Sequence, residues 1–280
     1  MAEPAVAILG ARGMLGSDLV VACRDCGIGA VGFDLPEFDI TDDAQVRRAI
    51  VAADAVVNCA AYTNVDRAES EPDIAHRVNG EAVGRLGELA AEAGKWVLHV
   101  STDFVFDGKL DRPYRETDEP HPISEYGRSK LAGERLLLNS GCRACILRVQ
   151  WTYGRGGVNF VRKILDRARG GGPFNVVDDQ IGSPTATTAV AEAMVELIRL
   201  RPTGVFHFAA GGYASRFEVA RRIVDMTGVS CVVSPCKSSD YPSPAARPLN
   251  SRFDCAKIQA LLGHEIRPWQ EDLKAFVRQL

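Results

Sequence analysis

No apolar stretch of the 280-residue chain approaches the roughly 20 consecutive apolar residues that a membrane-spanning helix needs. There is no run of lysines and arginines either. The 33 basic residues are set against 36 acidic ones, a formal net charge of −3, which argues against nucleic acid or an anionic membrane as partner. Internal repeats and low-complexity tracts are also missing, which argues against repeat arrays and flexible tails. The opening Met1-Ala2-Glu3-Pro4 runs straight into a strand-like segment, with none of the pattern of a secretory leader. The expectation is a cytoplasmic protein. What is present is ordinary: 46% hydrophobic and 25% charged residues, in a chain long enough to bury a sizeable core without staples. That length suits one large α/β domain, or a domain with a smaller lobe.

Eight cysteines are the one unusual count. Cys23/Cys26 and Cys142/Cys145 each form a C-x-x-C, which together could be drawn as a four-thiolate zinc site. Their places, near the end of a helix and at the start of a strand, fit small buried thiols in a reducing compartment better.

The run Ala5-Val6-Ala7-Ile8-Leu9 reads as a buried parallel strand. Gly10-Ala11-Arg12-Gly13-Met14-Leu15-Gly16 follows at once, and Leu15, Leu19 and Val20 then recur at helical spacing. Strand, glycine turn and helix together make a phosphate-binding hypothesis: the backbone can approach a pyrophosphate, and the helix N-terminus offers free N–H groups. Asp34 ends the next strand about twenty residues on, where an acid can bind adenosine ribose hydroxyls and favour NAD. Arg12 pulls the other way, since a guanidinium there can pair with the 2′-phosphate of NADP. Thr41 is the expected N-cap of the following helix. A third strand, Asp54–Cys59, runs into the small residues Ala60-Ala61 and then Tyr62-Thr63, and one long helix is expected from about Asp73 to Glu92.

The fourth strand, Trp96–Val100, ends at Ser101-Thr102-Asp103; His99 inside it reads as a packed core histidine. After a polar loop comes Ser124-Glu125-Tyr126-Gly127-Arg128-Ser129-Lys130. Tyr126 and Lys130 lie four apart, on one face of a helix. An ammonium near a phenol favours the phenolate and lowers its pKa, which suits proton transfer to or from a carbonyl or alcohol. A fifth strand ends at Gln150-Trp151. This alternation predicts a doubly wound, Rossmann-like parallel sheet with a smaller C-terminal substrate-binding lobe. Residues 1–150 would form the dinucleotide-binding domain, with 184–209 packing back onto it; 151–183 and 210–280 would form the lobe. Further helices are expected at 159–169 and 185–199, a strand at 204–208, a capping box at Ser215-Arg216-Phe217-Glu218 and a last helix near Trp269.

The glycine turn, Ser101-Thr102 and Tyr126/Lys130 together resemble the extended short-chain dehydrogenase/reductases. Four further strings narrow the resemblance to the dTDP-4-dehydrorhamnose reductase family over nearly the whole chain. They are Asn58-Cys59-Ala60-Ala61-Tyr62-Thr63-Asn64-Val65-Asp66 with Ala68–Pro72, Ser101–Phe106, Val177–Thr185, and Ala246-Arg247-Pro248-Leu249-Asn250-Ser251-Arg252. The resemblance implies reduction of the 4-keto group of a dTDP-6-deoxy-hexulose to dTDP-L-rhamnose by NADPH or NADH, with NADPH favoured. It makes Tyr126 the proton donor, Lys130 its partner and a ribose ligand, and Thr102 a group at the keto oxygen. Asp103 and Trp151 match substrate positions. Gly13, Met14, Leu15, Asp34, Asp39, Ile40, Ala61, Tyr62 and Thr63 match cofactor positions, beside Gly10, Arg12 and Gly16 of the turn. Trp151 offers a flat surface, and Arg247 or Arg252 has the fork geometry to clamp a diphosphate. Phe104 stands where the family usually has Tyr, which leaves the exact sugar open. Some members are dimers with an interfacial magnesium ion. No ligand set for one is matched here, so no metal ligand is assigned, and a homodimer and magnesium stay open. The rival readings are another nucleotide-sugar reductase or epimerase, and a noncatalytic NADP-binding regulatory subunit.

Overall fold

The computed structural model describes residues 6–280. The N-terminal reading and Ala5, expected to open the first strand, lie outside the described residues.

Strand β1 (Val6–Leu9) is wholly buried, as its unbroken apolar run requires. A turn through Gly10 leads to α1 (Met14–Asp25), which buries Gly16, Leu19 and Cys23. Then come β2 (Ala30–Phe33), α2 (Asp43–Val51) and β3 (Ala55–Asn58). Asp42, not Thr41, caps α2: its carboxylate accepts from the N–H groups of Ala44 and Gln45, while the Thr41 hydroxyl donates to Asp39. A carboxylate offers more acceptor capacity to the free amides than a hydroxyl does, and its charge suits the helix N-terminus.

Short α3 (Val65–Ala68) precedes α4 (Pro72–His76), which passes through a wide π turn at Arg77–Glu81 into α5 (Ala82–Glu92). The expected single helix is thus interrupted at Asn79. That side chain accepts from the Tyr62 N–H at 2.9 Å and donates to the Tyr62 carbonyl and to Ser129 Oγ, each at 3.0 Å. The wide turn lets a helical residue serve the loop after β3, a typical use of π geometry at functional sites.

Strand β4 (Trp96–Thr102) ends in a 3₁₀ turn at Asp103–Val105; α6 (Glu125–Asn139) and β5 (Arg143–Val149) follow. Ser124 caps α6 by accepting from Gly127 N–H. Glu134 and Arg148, 2% and 4% exposed at the side chain, form a two-pronged pair at 2.9 and 2.6 Å. The pair clamps α6 to β5, on the face that also carries Tyr126 and Lys130 at four-residue intervals.

The remaining elements are β6 (Thr152–Tyr153), α7 (Phe160–Arg169), β7 (Phe174–Val177), β8 (Ile181–Gly182), β9 (Thr185–Ala186), α8 (Thr187–Leu200), β10 (Gly204–Phe208), β11 (Ala214–Ser215), α9 (Arg216–Thr227), β12 (Val233–Cys236), α10 (Ala256–Leu262) and α11 (Trp269–Val277). The principal sheet is parallel, in the order β10-β5-β4-β3-β1-β2. The order reverses at β1, between β3 and β2. Helix α8 packs against α1 on one face of this sheet, and α5 against α6 on the other. The chain after β5 adds three two-stranded pairs: β7 with β12, β8 with β11, and β6 with β9. The capping box expected at Ser215 is present.

All eight cysteines are free. Cys23 and Cys145 are buried as expected, whereas Cys26 is exposed, because it sits in the turn that ends α1. Among the described residues no group of His, Cys, Asp or Glu is arranged to hold a metal ion, and no helix is long and apolar enough to cross a membrane.

Candidate active site

Two sets of residues meet at the C-terminal edge of the parallel sheet. The first is the glycine turn. Gly10 has φ +78°, and a Cβ there would lie 2.6 Å from the Ala60 amide nitrogen. A Cβ on Gly16 would collide with the carbonyl oxygen of Gly10. Both positions require glycine on steric grounds. Helix α1 has no side-chain cap and no acid in its first turn, so its N–H groups and positive dipole end remain available to an anion. This cradle fits a dinucleotide pyrophosphate.

Asp34 closes the cradle from below, accepting from Arg12 N–H at 2.6 Å and from Leu35 N–H at 2.8 Å. The Arg12 guanidinium lies in the open, donating to the Leu35 carbonyl at 2.8 Å and paired with Glu37 at 3.0 Å. Ile40 is buried in the core, and Asp39 ties down Thr41. Ala61, Tyr62 and Thr63 follow β3, the Tyr62 hydroxyl donating to Glu71 at 2.8 Å. Met14 opens α1 and stands against Gly154 and Asn159 of the chain after β5. Asn79, which holds Tyr62 from the π turn, was not singled out in the sequence. A polar residue inside an amphipathic helix was its only signal.

The second set surrounds Tyr126. The Thr102 hydroxyl stands near the Tyr126 phenol, donates to an Asp103 oxygen at 3.1 Å and accepts from the Phe104 N–H at 3.2 Å. The other Asp103 oxygen accepts from Ser251 Oγ at 2.5 Å. Asp103 is buried, which raises its carboxyl pKa; the bonds from Ser251 and Thr102 work against that rise. Burial, then the charge of Asp103, push the Tyr126 phenol up to about 12, with the nearby Thr102 hydroxyl opposing them. The phenol therefore stays protonated at neutral pH. Phe104 packs edge-on against its ring, centroids 5.5 Å apart. Phe104 thus steadies the phenol by contact rather than by a hydrogen bond.

Lys130 departs from the expectation that it lowers the phenol's pKa. Its ammonium donates to the Val100 carbonyl at 2.8 Å and lies 3.3 Å from His99 Nε2, while burial and Asp103 push the phenol up. Burial brings Lys130 down to about 8, with the charge of Glu134 resisting. His99 is buried and held well below its usual pKa by desolvation and by Lys130. It is a core histidine, as expected, yet it also touches the lysine.

Trp151, at the end of β5, adopts φ +46°, outside the usual range for a bulky residue. The Arg216 guanidinium lies 3.6 Å from the centre of its ring. One face of the indole is therefore taken by the protein, and the flat surface expected for a sugar is reduced by that much. Arg247 is in an ion pair with Asp66 at 2.8 Å. Arg252 is spent on Asn250 and on the Asp111 carbonyl. Ser251 and Arg216 were passed over in the sequence, since nothing local marks a serine whose partner lies 148 positions away or an arginine whose ring partner belongs to another element. A depression of about 820 Å³ on the outer side of α6, lined in part by Lys109, His121, Arg128 and Arg135, shares no residue with this site.

The RmlD substrate binding domain family matches residues 5–280. A dTDP-4-dehydrorhamnose reductase of Sinorhizobium fredii is 38% identical over 286 residues, covering 97% of this chain and 96% of its own. The enzyme of the same name from Mycobacterium tuberculosis is 40% identical over 274 residues, covering 95% and 90%. Among solved structures, dTDP-4-dehydrorhamnose reductase from Bacillus anthracis in complex with NADP superposes with a TM-score of 0.94 at 32% identity, over 99% of this chain and all of the other. With the glycine cradle and the Thr102–Tyr126 pair in place along the whole of that shared fold, the chain belongs to the RmlD family, that of the dTDP-4-dehydrorhamnose reductases.

Proposed function

We propose that the chain is an NADPH-dependent 4-ketoreductase that converts dTDP-6-deoxy-L-lyxo-4-hexulose into dTDP-L-rhamnose. The observation that carries the reading is the Thr102–Tyr126 hydroxyl pair set at the sheet edge beside a cradle that fits a dinucleotide. The Bacillus anthracis relative with NADP supports the choice of cofactor, and Arg12, exposed at the cradle, is the group placed to meet a 2′-phosphate.

When bound, the reduced cofactor supplies the hydride that adds to the C4 carbonyl carbon. The carbonyl π electrons move to oxygen, and Tyr126 gives that oxygen its phenolic proton. Thr102, close to the phenol at the same sheet edge, polarises the oxygen and holds it in line with the donor. The phenolate left behind is a much stronger base than Lys130, with the two groups at about 12 and about 8. Lys130, one turn along the helix, keeps its ammonium on the Val100 carbonyl, so the phenolate recovers its proton from solvent and Lys130 serves as a ribose ligand. Gly13, Met14, Leu15, Ala61, Tyr62 and Thr63 line the cofactor side, and Asp103 and Trp151 the sugar side. The division at about residue 150, with β10 and α8 returned to the first domain, a cytoplasmic location and a homodimer are further parts of this proposal.

The test mixes the full-length protein with the keto sugar and NADPH and follows the loss of reduced-cofactor absorbance. One NADPH should be consumed per dTDP-L-rhamnose formed. Epimerised sugar without net NADPH loss would replace the reading with an epimerase. Tight NADP binding without turnover on any dTDP-, UDP- or GDP-keto sugar would replace it with a regulatory subunit.

A further inference from the structure

Arg216 is the first residue of α9 and follows the Ser215 cap. A cation there faces the positive end of the helix. It is also half-buried, stacked 3.6 Å from the centre of Trp151 and 4.9 Å from that of Phe160. The charge of Arg247 reaches it as well. The helix dipole and Arg247 thus both oppose this half-buried charge, and its aromatic stack and the charge of Asp103 offset them in part. The nearest carboxylates are otherwise engaged. Glu218 holds the Ser215 N–H at 2.6 Å as half of the capping box, and Asp103 holds Ser251 and Thr102. Among the described residues the guanidinium has no ion-pair partner and no hydrogen bond. Burial brings it down to about 9; the attraction of Asp103 resists this and exceeds the repulsion from Arg247. A half-buried guanidinium with no hydrogen-bond acceptor keeps its donors free for a ligand. Its aromatic stack holds the planar fork in one orientation, next to the residues that meet the sugar.

We infer that Arg216 is a specificity-determining residue that binds an oxyanion of the substrate, either a phosphoryl oxygen of the nucleotide diphosphate or a carboxylate carried on the sugar ring. The stack on Trp151 fixes the fork, so that two parallel N–H groups meet two oxygens of one anion. Binding supplies a directly bonded counter-charge, where the protein offers Asp103 only beyond ion-pair distance. It also relieves the repulsion between Arg216 and Arg247. The inference rests on the nucleotide-sugar reading above.

The test uses the full-length protein, Arg216→Gln and Arg216→Lys, with affinities read by calorimetry for thymidine, dTDP, UDP-glucose, UDP-glucuronic acid and NADP. Arg216→Gln should weaken dTDP about 10- to 100-fold, the span of a charge-assisted hydrogen bond of roughly 1.5–3 kcal/mol. Thymidine and NADP should be unchanged, which also shows that the variant is folded. Arg216→Lys, which keeps the charge and loses the fork, should fall between. In turnover the loss should appear in KM more than in kcat, because the contact is made equally before and during the chemistry. A loss confined to UDP-glucuronic acid, with dTDP and UDP-glucose unaffected, assigns the carboxylate as the anion. Unchanged affinity of Arg216→Gln for all of these nucleotides overturns the inference. Failure of the wild-type protein to bind any nucleotide overturns the nucleotide-sugar reading instead, and the two failures are told apart by the wild-type titration alone.

Discussion

The glycine cradle and the Tyr126 centre are built by different means. The cradle is backbone: a left-handed glycine, an uncapped helix end and a carboxylate that accepts two amide N–H groups, all within residues 10–35. The Tyr126 centre is side chains brought from far apart, with Thr102 ending β4, Asp103 next to it, Tyr126 on α6 and Ser251 from the C-terminal part. Backbone geometry is specified by neighbours in sequence and tolerates little change. A side-chain centre depends on helices and strands docking correctly, so its weak points lie at a distance from the chemistry.

That contrast can be broken at either end. The largest effect should come from Tyr126→Phe, which removes the proton donor. It should lower kcat about 10²- to 10⁴-fold while NADP affinity, read by fluorescence titration, holds. An undiminished rate would remove Tyr126 from the chemistry. Glu134→Ala should come next. It leaves Arg148 buried without its partner and should cost about 3–5 kcal/mol in denaturant unfolding. Activity should fall with it, because the same clamp seats Tyr126 and Lys130.

On the cradle side, Gly16→Ala forces a methyl against the Gly10 carbonyl. The expected loss is about 1–3 kcal/mol in stability, with weakened NADP binding and an intact Tyr126 centre. If cofactor affinity stays normal, the turn is not the phosphate cradle.

Buried histidines sharpen the contrast through pH. Burial followed by the charge of Arg148 holds His207 down to about 3 in the folded state. Its unfolded value is about 6.5, so between these limits the unfolded chain binds the extra proton and stability rises with pH. Lowering the pH from about 6.5 toward 3 should therefore cost up to about 1.4 kcal/mol per pH unit for this residue. His99, shifted the same way, adds to the slope. Stability at successive pH values with His207→Phe as control measures it, and a flat profile would count against a neutral His207. The smallest effect is expected from Phe104→Tyr. The ring contact with Tyr126 survives, so stability should change by less than about 1 kcal/mol, and any shift in sugar preference isolates the added hydroxyl.

The order of strands and helices was legible because the strands are unbroken apolar runs and the glycines stand at their ends. The π turn was not, since Asn79 looks like any polar residue on a helix until Tyr62 is seen beside it. Thr41 was expected to cap α2 and Asp42 does so, because two adjacent capping residues cannot be ranked without knowing where the first free amides point. Lys130 was expected to tune the phenol, and helical spacing did place it on the right face. Only the packed structure shows its ammonium turned to Val100 and His99.

The sequence by itself determined the parallel sheet, the glycine turn, and the helix that carries Tyr126 and Lys130. Those follow from local sterics and from apolar periodicity, which act between near neighbours. The tertiary structure alone decided that Ser251 holds Asp103, that Arg216 lies on Trp151 without a counter-ion, and which charges are buried. Desolvation and hydrogen bonding depend on what surrounds an atom in space, and no spacing along the chain encodes that.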